Sequence, residues 1–230
     1  MDKNEIITLV PARKNSKGIK DKNIIKLNGK PLVEYTLHVI KNSKLTMKNC
    51  FILSDDKRIR HIGEKYGANI DYERPANLST DKTLFKDNIK HFYKWTIKKS
   101  INFKYIIILQ PTSPLRTSKD INSFLNLLNK KKPDSVVSVS KSLENPNETI
   151  FIKNRKINFY IKNSLITRRQ DYPYNSYFIN GAIYAVSKKN LEKNIFIDFK
   201  KTLYFKMEKF NSFDLNDYED LKILKRLIKK

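Results

Sequence analysis

Two short, almost wholly apolar runs constrain this chain more than any other feature. Ile6-Ile7-Thr8-Leu9-Val10 and Ile106-Ile107-Ile108-Leu109 lack the polar alternation of a half-exposed strand, as expected of strands buried on both faces of a sheet. Each breaks into a polar, arginine-bearing loop. The first loop runs from Pro11 to Asn23 and carries Arg13, Lys14, Ser16, Lys17, Gly18, Lys20 and Lys22; the second is Gln110-Pro111-Thr112-Ser113-Pro114-Leu115-Arg116. In open α/β sheets ligands bind in the crevice beyond the carboxyl ends of the strands. The two loops are therefore expected to wall one site, and their charge points to an anion.

Between and after these runs, strand and helix patterns alternate. Strands are expected over Glu5–Val10, Asn49–Leu53, Asn69–Tyr72, Lys104–Leu109 and Ser135–Ser140. A turn at Leu27-Asn28-Gly29-Lys30 leads to Pro31, suited to the first residue of a helix through Asn42. Ser54-Asp55-Asp56 should cap a helix ended by Gly67. Helices are also expected over Leu84–Ser100, with Phe85, Ile89, Phe92 and Trp95 at core spacing, and over Ser118–Lys131, capped by Ser118. This order implies an α/β fold with a mostly parallel sheet covered on both faces, hence three layers. After Pro146 the pattern changes to a hairpin, Thr149–Ile152 with Lys156–Ile161, turning at Asn154-Arg155, and reads as an arm over residues 147–180. The chain then returns with a strand over Gly181–Val186, a short helix over Lys188–Lys193, a strand over Thr202–Met207 and a last helix from Asn216 that turns Leu221, Leu224, Leu227 and Ile228 inward.

At 230 residues one domain with a protruding arm is expected, large enough to bury a core without disulfides. The single Cys50 excludes an intrachain disulfide and a multi-cysteine metal site and reads as a buried structural thiol. No apolar run reaches the about 20 residues of a membrane span and the start is not a signal peptide, so the default location is cytoplasmic. Lys+Arg is 47 against 23 Asp+Glu, a net charge of +24. The basic residues are scattered, and no helix-turn-helix, RNP or zinc-finger pattern accompanies them. A nucleic-acid partner is not expected, whereas a general positive field suits polyanionic small substrates such as nucleotides. His38, His61 and His91 share no motif and read as structural.

The first loop is neither a Walker A nor a G-x-G-x-x-G motif; on composition it is either a solvated basic loop or a phosphate cradle. Its spelling, Pro11-Ala12-Arg13 with Ser16-Lys17-Gly18-Ile19 and Lys22-Asn23, resembles the nucleotide-binding signature of acylneuraminate cytidylyltransferases. Four more stretches follow in the same order: Arg74-Pro75-Ala76-Asn77-Leu78-Ser79-Thr80-Asp81; Leu109 to Arg116; Arg168-Arg169-Gln170-Asp171 with Asn180-Gly181-Ala182-Ile183-Tyr184; and Phe213-Asp214-Leu215-Asn216. The resemblance runs nearly end to end. It implies a nucleotide-diphospho-sugar transferase-like, Rossmann-like fold and a reaction in which CTP and a 2-keto sugar acid give the CMP-sugar and pyrophosphate.

The same resemblance implies roles. Arg13 and Lys22 would hold the triphosphate, helped by Ala12, Ser16, the backbone at Gly18, and Asn23, with Lys14 and Lys17 as bystanders. Arg74, Ser79 and Asp81 would line the cytosine pocket. Gln110, Arg168, Arg169, Gln170, Asn180 and Tyr184 would meet the sugar acid, the arm reaching across a homodimer. Asp214 would bind magnesium, or manganese in its place; Asn216 stands where the family has the second carboxylate of Asp-x-Asp. Asp214 and Asp217 also suit capping of the last helix. Asn15 replaces a usual Gly. The alternatives left open are a nucleotidyltransferase for another sugar, such as keto-deoxyoctulosonate, and a basic nucleic-acid- or polyanion-binding protein with a degenerate site.

Overall fold

A computed structural model of the chain describes residues 2–14, 16, 18–80, 82–161 and 174–228. In order, the strands are β1 (Ile6–Pro11), β2 (Lys26–Leu27), β3 (Lys30–Pro31), β4 (Cys50–Leu53), β5 (Tyr105–Leu109), β6 (Ser135–Lys141), β7 (Ile150–Lys153), β8 (Lys156–Phe159), β9 (Tyr177–Ser187) and β10 (Leu203–Lys206). The helices are α1 (Leu32–Lys41), α2 (Lys57–Lys65), α3 (Phe85–Lys98), α4 (Ser118–Lys131), α5 (Lys188–Glu192) and α6 (Tyr218–Leu227). Six strands form one sheet in the order β10-β6-β9-β5-β1-β4. β1 pairs in parallel with β4 and β5, and β10 with β6, while β9 runs antiparallel between β5 and β6. Five of the six strands thus point the same way, and the carboxyl ends of β1, β4 and β5 open on one edge.

The apolar runs divide between two cores because successive strand side chains point to opposite faces. Ile6, Val10, Ile107 and Leu109 join the helices α1, α2 and α4 on one face; Ile7, Leu9, Ile106 and Ile108 join α3 and α5 on the other. Each buried Ile or Leu contributes about 1.5–3 kcal/mol relative to exposure, which is why these strands carry no polar side. A third cluster, Ile19, Leu27, Leu32, Leu215, Leu221 and Leu224, joins the first loop to the C-terminal segment. The Phe85–Trp95 series packs on the sheet as expected, with Phe51, Phe92, Trp95 and Tyr72 in edge contacts. Cys50 is fully buried and its thiol is pushed up to about 12 by desolvation.

The local turns follow their residues. Asn28 and Gly29 take positive φ between β2 and β3, and Asn154 and Arg155 do so between β7 and β8, the geometry of tight hairpins. Gly67 ends the α2 region at φ +82. Four expectations are corrected. Asn69–Tyr72 is not a strand: only one bridge, Phe51 to Asn69, forms, and Asn69 turns the chain by accepting the Asp71 N–H on its own side chain. Helix α4 is capped by Thr117, not Ser118. The Asp120 N–H donates to the Thr117 hydroxyl while the Asp120 carboxylate accepts the Thr117 N–H at 2.8 Å. The last helix begins at Tyr218 behind Asp217, and Leu227 lies outward, 38% exposed, because helix twist carries it away from Leu221 and Leu224. β9 starts at Tyr177, before the expected Gly181. Among the described residues, no helix is long and apolar enough to cross a membrane.

Thr117→Ala should remove the reciprocal cap. The expected cost is about 1 kcal/mol, or a fall of about 2–4 °C in thermal midpoint for a chain of this size, read by calorimetry; an unchanged midpoint would show that the cap carries no stability.

Candidate active site

Between the carboxyl ends of β1 and β5 lies a cleft of about 430 Å3, lined among others by Arg13, Ser16, Gly18, Lys22, Arg74 and Gln110. The two loops that follow the apolar runs do form its walls. The first loop is held from behind: Ala12 is fully buried, its N–H donating to the Leu53 carbonyl, and the Asn23 amide donates to the Arg13 carbonyl at 2.9 Å. Ala12 and Asn23 therefore shape the loop with their backbone and amide bonds. The Lys14 N–H is tied to Asp55 at 2.8 Å. Asn15 and Lys17 lie outside the described residues.

The far wall comes from the other end of the chain. The Leu215 N–H donates to the Thr112 carbonyl at 2.8 Å, fixing segment 213–216 onto the loop after β5. Lys22 then donates to the carbonyls of Leu215 and Asn216 at 2.9 and 3.2 Å. Gly18 packs so closely that a Cβ there would lie 2.5 Å from the Asn216 carbonyl oxygen. Only glycine permits that approach, so the family-like Gly18 is explained by a contact about 200 residues away in sequence.

Lys22 and Asp214 face each other electrostatically. Burial lowers the pKa of Lys22, against the raising effect of Asp214 and its neighbours; burial raises that of Asp214, against the lowering effects of Thr112, Lys22 and Asn216. Desolvation outweighs mutual attraction at both groups, the condition of charges set for a further charged partner. Asp214 Oδ1 is buried with no hydrogen-bond partner. Asp217 and Asp220, in contrast, are spent on the last helix: Asp217 accepts the N–H of Glu219 and Asp220, and Asp220 accepts that of Asn216. The capping reading thus holds for Asp217 and not for Asp214.

Arg74 is buried and donates to the Leu78 carbonyl at 3.0 Å through Nε; burial lowers its pKa. Ser79 Oγ is turned back to the Pro75 carbonyl at 3.3 Å, and Asp81 lies outside the described residues. Beside the loop after β5, β9 steps five residues, Tyr184 to Ile179, where β6 steps two, so three residues are extruded as a bulge. Ser138 fills the gap, accepting the Ile183 N–H and donating to the Asn180 side chain. Asn180 is therefore buried inside the bulge. Gly181 at φ +74 lets Gln110 Oε1 sit 3.0 Å from where its Cβ would be, with the Tyr184 hydroxyl 3.8 Å from the same point. Tyr184 is pushed up by burial and by Asp214. Arg168, Arg169 and Gln170 lie outside the described residues. The structure adds Thr112, Thr83, Phe85 and Asn88 to the wall. Of these Thr112 fell within a motif and Phe85 read as core by helical spacing, while Thr83, at the end of a loop, and Asn88, on α3, carried no signal.

The cytidylyltransferase family profile matches residues 7–227. The chain belongs to the cytidylyltransferase family. It is 31% identical over 229 residues to an N-acylneuraminate cytidylyltransferase of Escherichia coli, covering 95% of this chain and 51% of that protein. It therefore spans about half the length of that relative. To a CMP-N,N'-diacetyllegionaminic acid synthase of Campylobacter jejuni it is 30% identical over 233 residues, covering 97% and 95%. A CMP:2-keto-3-deoxy-manno-octonic acid synthetase solved with CTP superposes with a TM-score of 0.69 over 97% of this chain and 98% of that one, at 13% identity, a likeness of fold. The chain is accordingly a CTP-dependent nucleotidyltransferase with the α/β architecture its strand order implies.

In this cytidylyltransferase Asp214 costs stability for its charge. With its pKa raised on folding, the folded chain keeps that proton longer than the unfolded one, so Asp214 favours folding in acid and opposes it once pH passes its folded pKa. Asp214→Asn should melt above the parent at pH 7–8, with the gap closing as pH falls through the carboxylate range. Thermal melts across that range test this; an Asn variant that melts lower at neutral pH would contradict it.

Proposed function

We propose that the chain transfers the cytidylyl group of CTP to a nine-carbon 2-keto sugar acid, a nonulosonate. The anomeric hydroxyl oxygen forms a bond to the α-phosphorus, the bond from that phosphorus to the bridging oxygen breaks, the hydroxyl proton leaves to water, and pyrophosphate departs. The supporting observation is the meeting of Arg13, Lys22 and Gln110 around one cleft, with the C-terminal segment that carries Asp214 bonded to Lys22 from behind. Similarity to the N-acylneuraminate cytidylyltransferase of Escherichia coli and the CMP-N,N'-diacetyllegionaminic acid synthase of Campylobacter jejuni favours a nonulosonate over a shorter acid.

Arg13 and Lys22 take the triphosphate, Arg as a planar fork and Lys as a point charge. Ser16 and the backbone at Gly18 add hydrogen bonds, the loop being held open by Ala12 and Asn23. Arg74 and the segment at Ser79 border the base. Gln110, beside Gly181 and Tyr184, orients the sugar; Asn180 acts through the bulge that places them. The orphaned, buried Oδ1 of Asp214 fits a divalent cation, and a magnesium site needs only one or two carboxylates beside phosphate oxygens and waters. Asp214 would hold the ion, with Asn216 alongside it. When bound, magnesium supplies positive charge to the phosphate oxygens. Asp214→Ala is expected to lower kcat for CTP-dependent pyrophosphate release by about 10²-fold or more, while Asn216→Asp keeps turnover and lowers the magnesium needed for half-maximal rate. Full activity in Asp214→Ala would remove Asp214 from the reaction.

The arm over residues 147–180 of this single domain is proposed as a dimer contact. Ile152, Ile157 and Tyr160 on its hairpin are 74%, 66% and 67% exposed, an apolar surface of the kind an interface covers. Arg168, Arg169 and Gln170 would then act toward the sugar acid from the arm. Sedimentation is expected to give a dimer, and Ile152→Lys with Ile157→Lys a monomer; a monomeric parent chain would overturn the contact.

A further inference from the structure

One buried amide in the cleft has no use in the fold around it. Asn88 sits near the start of α3, is 4% exposed, and lines the cleft together with Arg74, Phe85 and Gln110. Its Nδ2 donates to the Leu84 carbonyl at 3.4 Å. A carbonyl can only accept, so this bond fixes the face of the amide. Oδ1 is therefore turned the other way, and it is buried without a hydrogen-bond partner. A buried acceptor left unpaired costs stability, and an orphan of this kind in a folded protein calls for a physical reason.

The other polar side chains along this wall are spent within it. Arg74 donates to the Leu78 carbonyl and Ser79 to the Pro75 carbonyl; Thr83 donates to the Asn77 carbonyl at 3.3 Å, with its hydroxyl 2.8 Å from that of Thr80. Among the described residues from 74 to 88, only Asn88 carries a buried side-chain oxygen without a partner. An amide oxygen is repelled by phosphate and carboxylate and takes an uncharged N–H or O–H donor. Cytosine presents an amino donor at C4, where uracil presents a carbonyl acceptor. Resting on the reading above in which Arg74 and the segment at Ser79 border the base, we infer that Asn88 determines nucleotide specificity: its side-chain oxygen accepts a hydrogen bond from the 4-amino group of CTP and would meet O4 of UTP acceptor to acceptor.

Calorimetric titration of the whole chain with CTP and with UTP, no sugar acid present, tests this apart from the identity of the sugar. The variants are Asn88→Leu, close to asparagine in size, and Asn88→Ala. The parent is expected to bind CTP the more tightly. In both variants CTP affinity should fall by about 10-fold, the loss of one buried hydrogen bond, while UTP affinity holds, so the ratio shrinks. Thermal melts of the variants should lie no lower than the parent's, because the orphaned oxygen is gone. An unchanged CTP-to-UTP ratio in both variants overturns the role of Asn88 and leaves the reading of the base wall standing. Equal loss on both nucleotides with a lower melt makes Asn88 structural and overturns it too. A parent that binds CTP no tighter than UTP removes the base-wall reading together with this inference.

Discussion

The wall of the cleft after β5 is held by one buried cation. Arg116 is 2% exposed, and its guanidinium donates to the Gln110 carbonyl at 3.1 Å, the Ala182 carbonyl at 2.6 Å and the Thr36 hydroxyl at 2.7 Å. Those three acceptors belong to the loop after β5, the bulge of β9 and helix α1. The rigid fork of a guanidinium can serve three such directions at once, where an ammonium offers a single point. Its charge is buried among neutral acceptors, and burial pushes its pKa down. A shortened side chain would leave carbonyls unsatisfied at three elements together. Gln110, Gly181 and Tyr184 owe their positions to it.

A second constraint closes the other wall. The backbone bond from Leu215 to Thr112 brings the C-terminal segment onto the loop after β5, and the Gly18–Asn216 contact brings the first loop onto that segment. Lys22 and Asp214 then face each other with both charged forms disfavoured by burial. The arrangement gives up stability to keep two opposite charges in place, the form that electrostatic preorganisation takes. Asp217 and Asp220, a few residues on, satisfy the helix terminus, so in one short stretch some carboxylates cap the helix while Asp214 keeps an unpartnered oxygen.

Much of this was legible in the residues, for identifiable reasons. Almost wholly apolar runs at 6–10 and 106–109 read as doubly covered strands, and a polar loop at the carboxyl end of each had to face the same edge. Asn28-Gly29 and Asn154 announced tight turns through the tolerance of Asn and Gly for positive φ. Where the reading failed, a local signal was overruled by a competing one. Thr117 and Ser118 are both good caps, and the reciprocal bond with Asp120 chose the former. Asn69–Tyr72 looked extended, but Asn69 spends its side chain on a turn. The aromatic spacing of α3 read as core alone, yet Phe85 also borders the cleft.

By itself the sequence determined the strand–helix alternation, the two loops at the cleft and the residue types able to hold a polyanion, because periodicity, turn chemistry and charge are local properties. Only the tertiary structure decided that Gly18 must be glycine, that Asn180 lies inside a bulge while Gln110 and Tyr184 converge on Gly181, and that Asp214, not Asp217, carries an unsatisfied oxygen. It also decided that Asn88 lines the cleft with an unpartnered oxygen. These depend on contacts between residues up to about two hundred positions apart, and side-chain packing across such distances leaves no periodic trace along the chain.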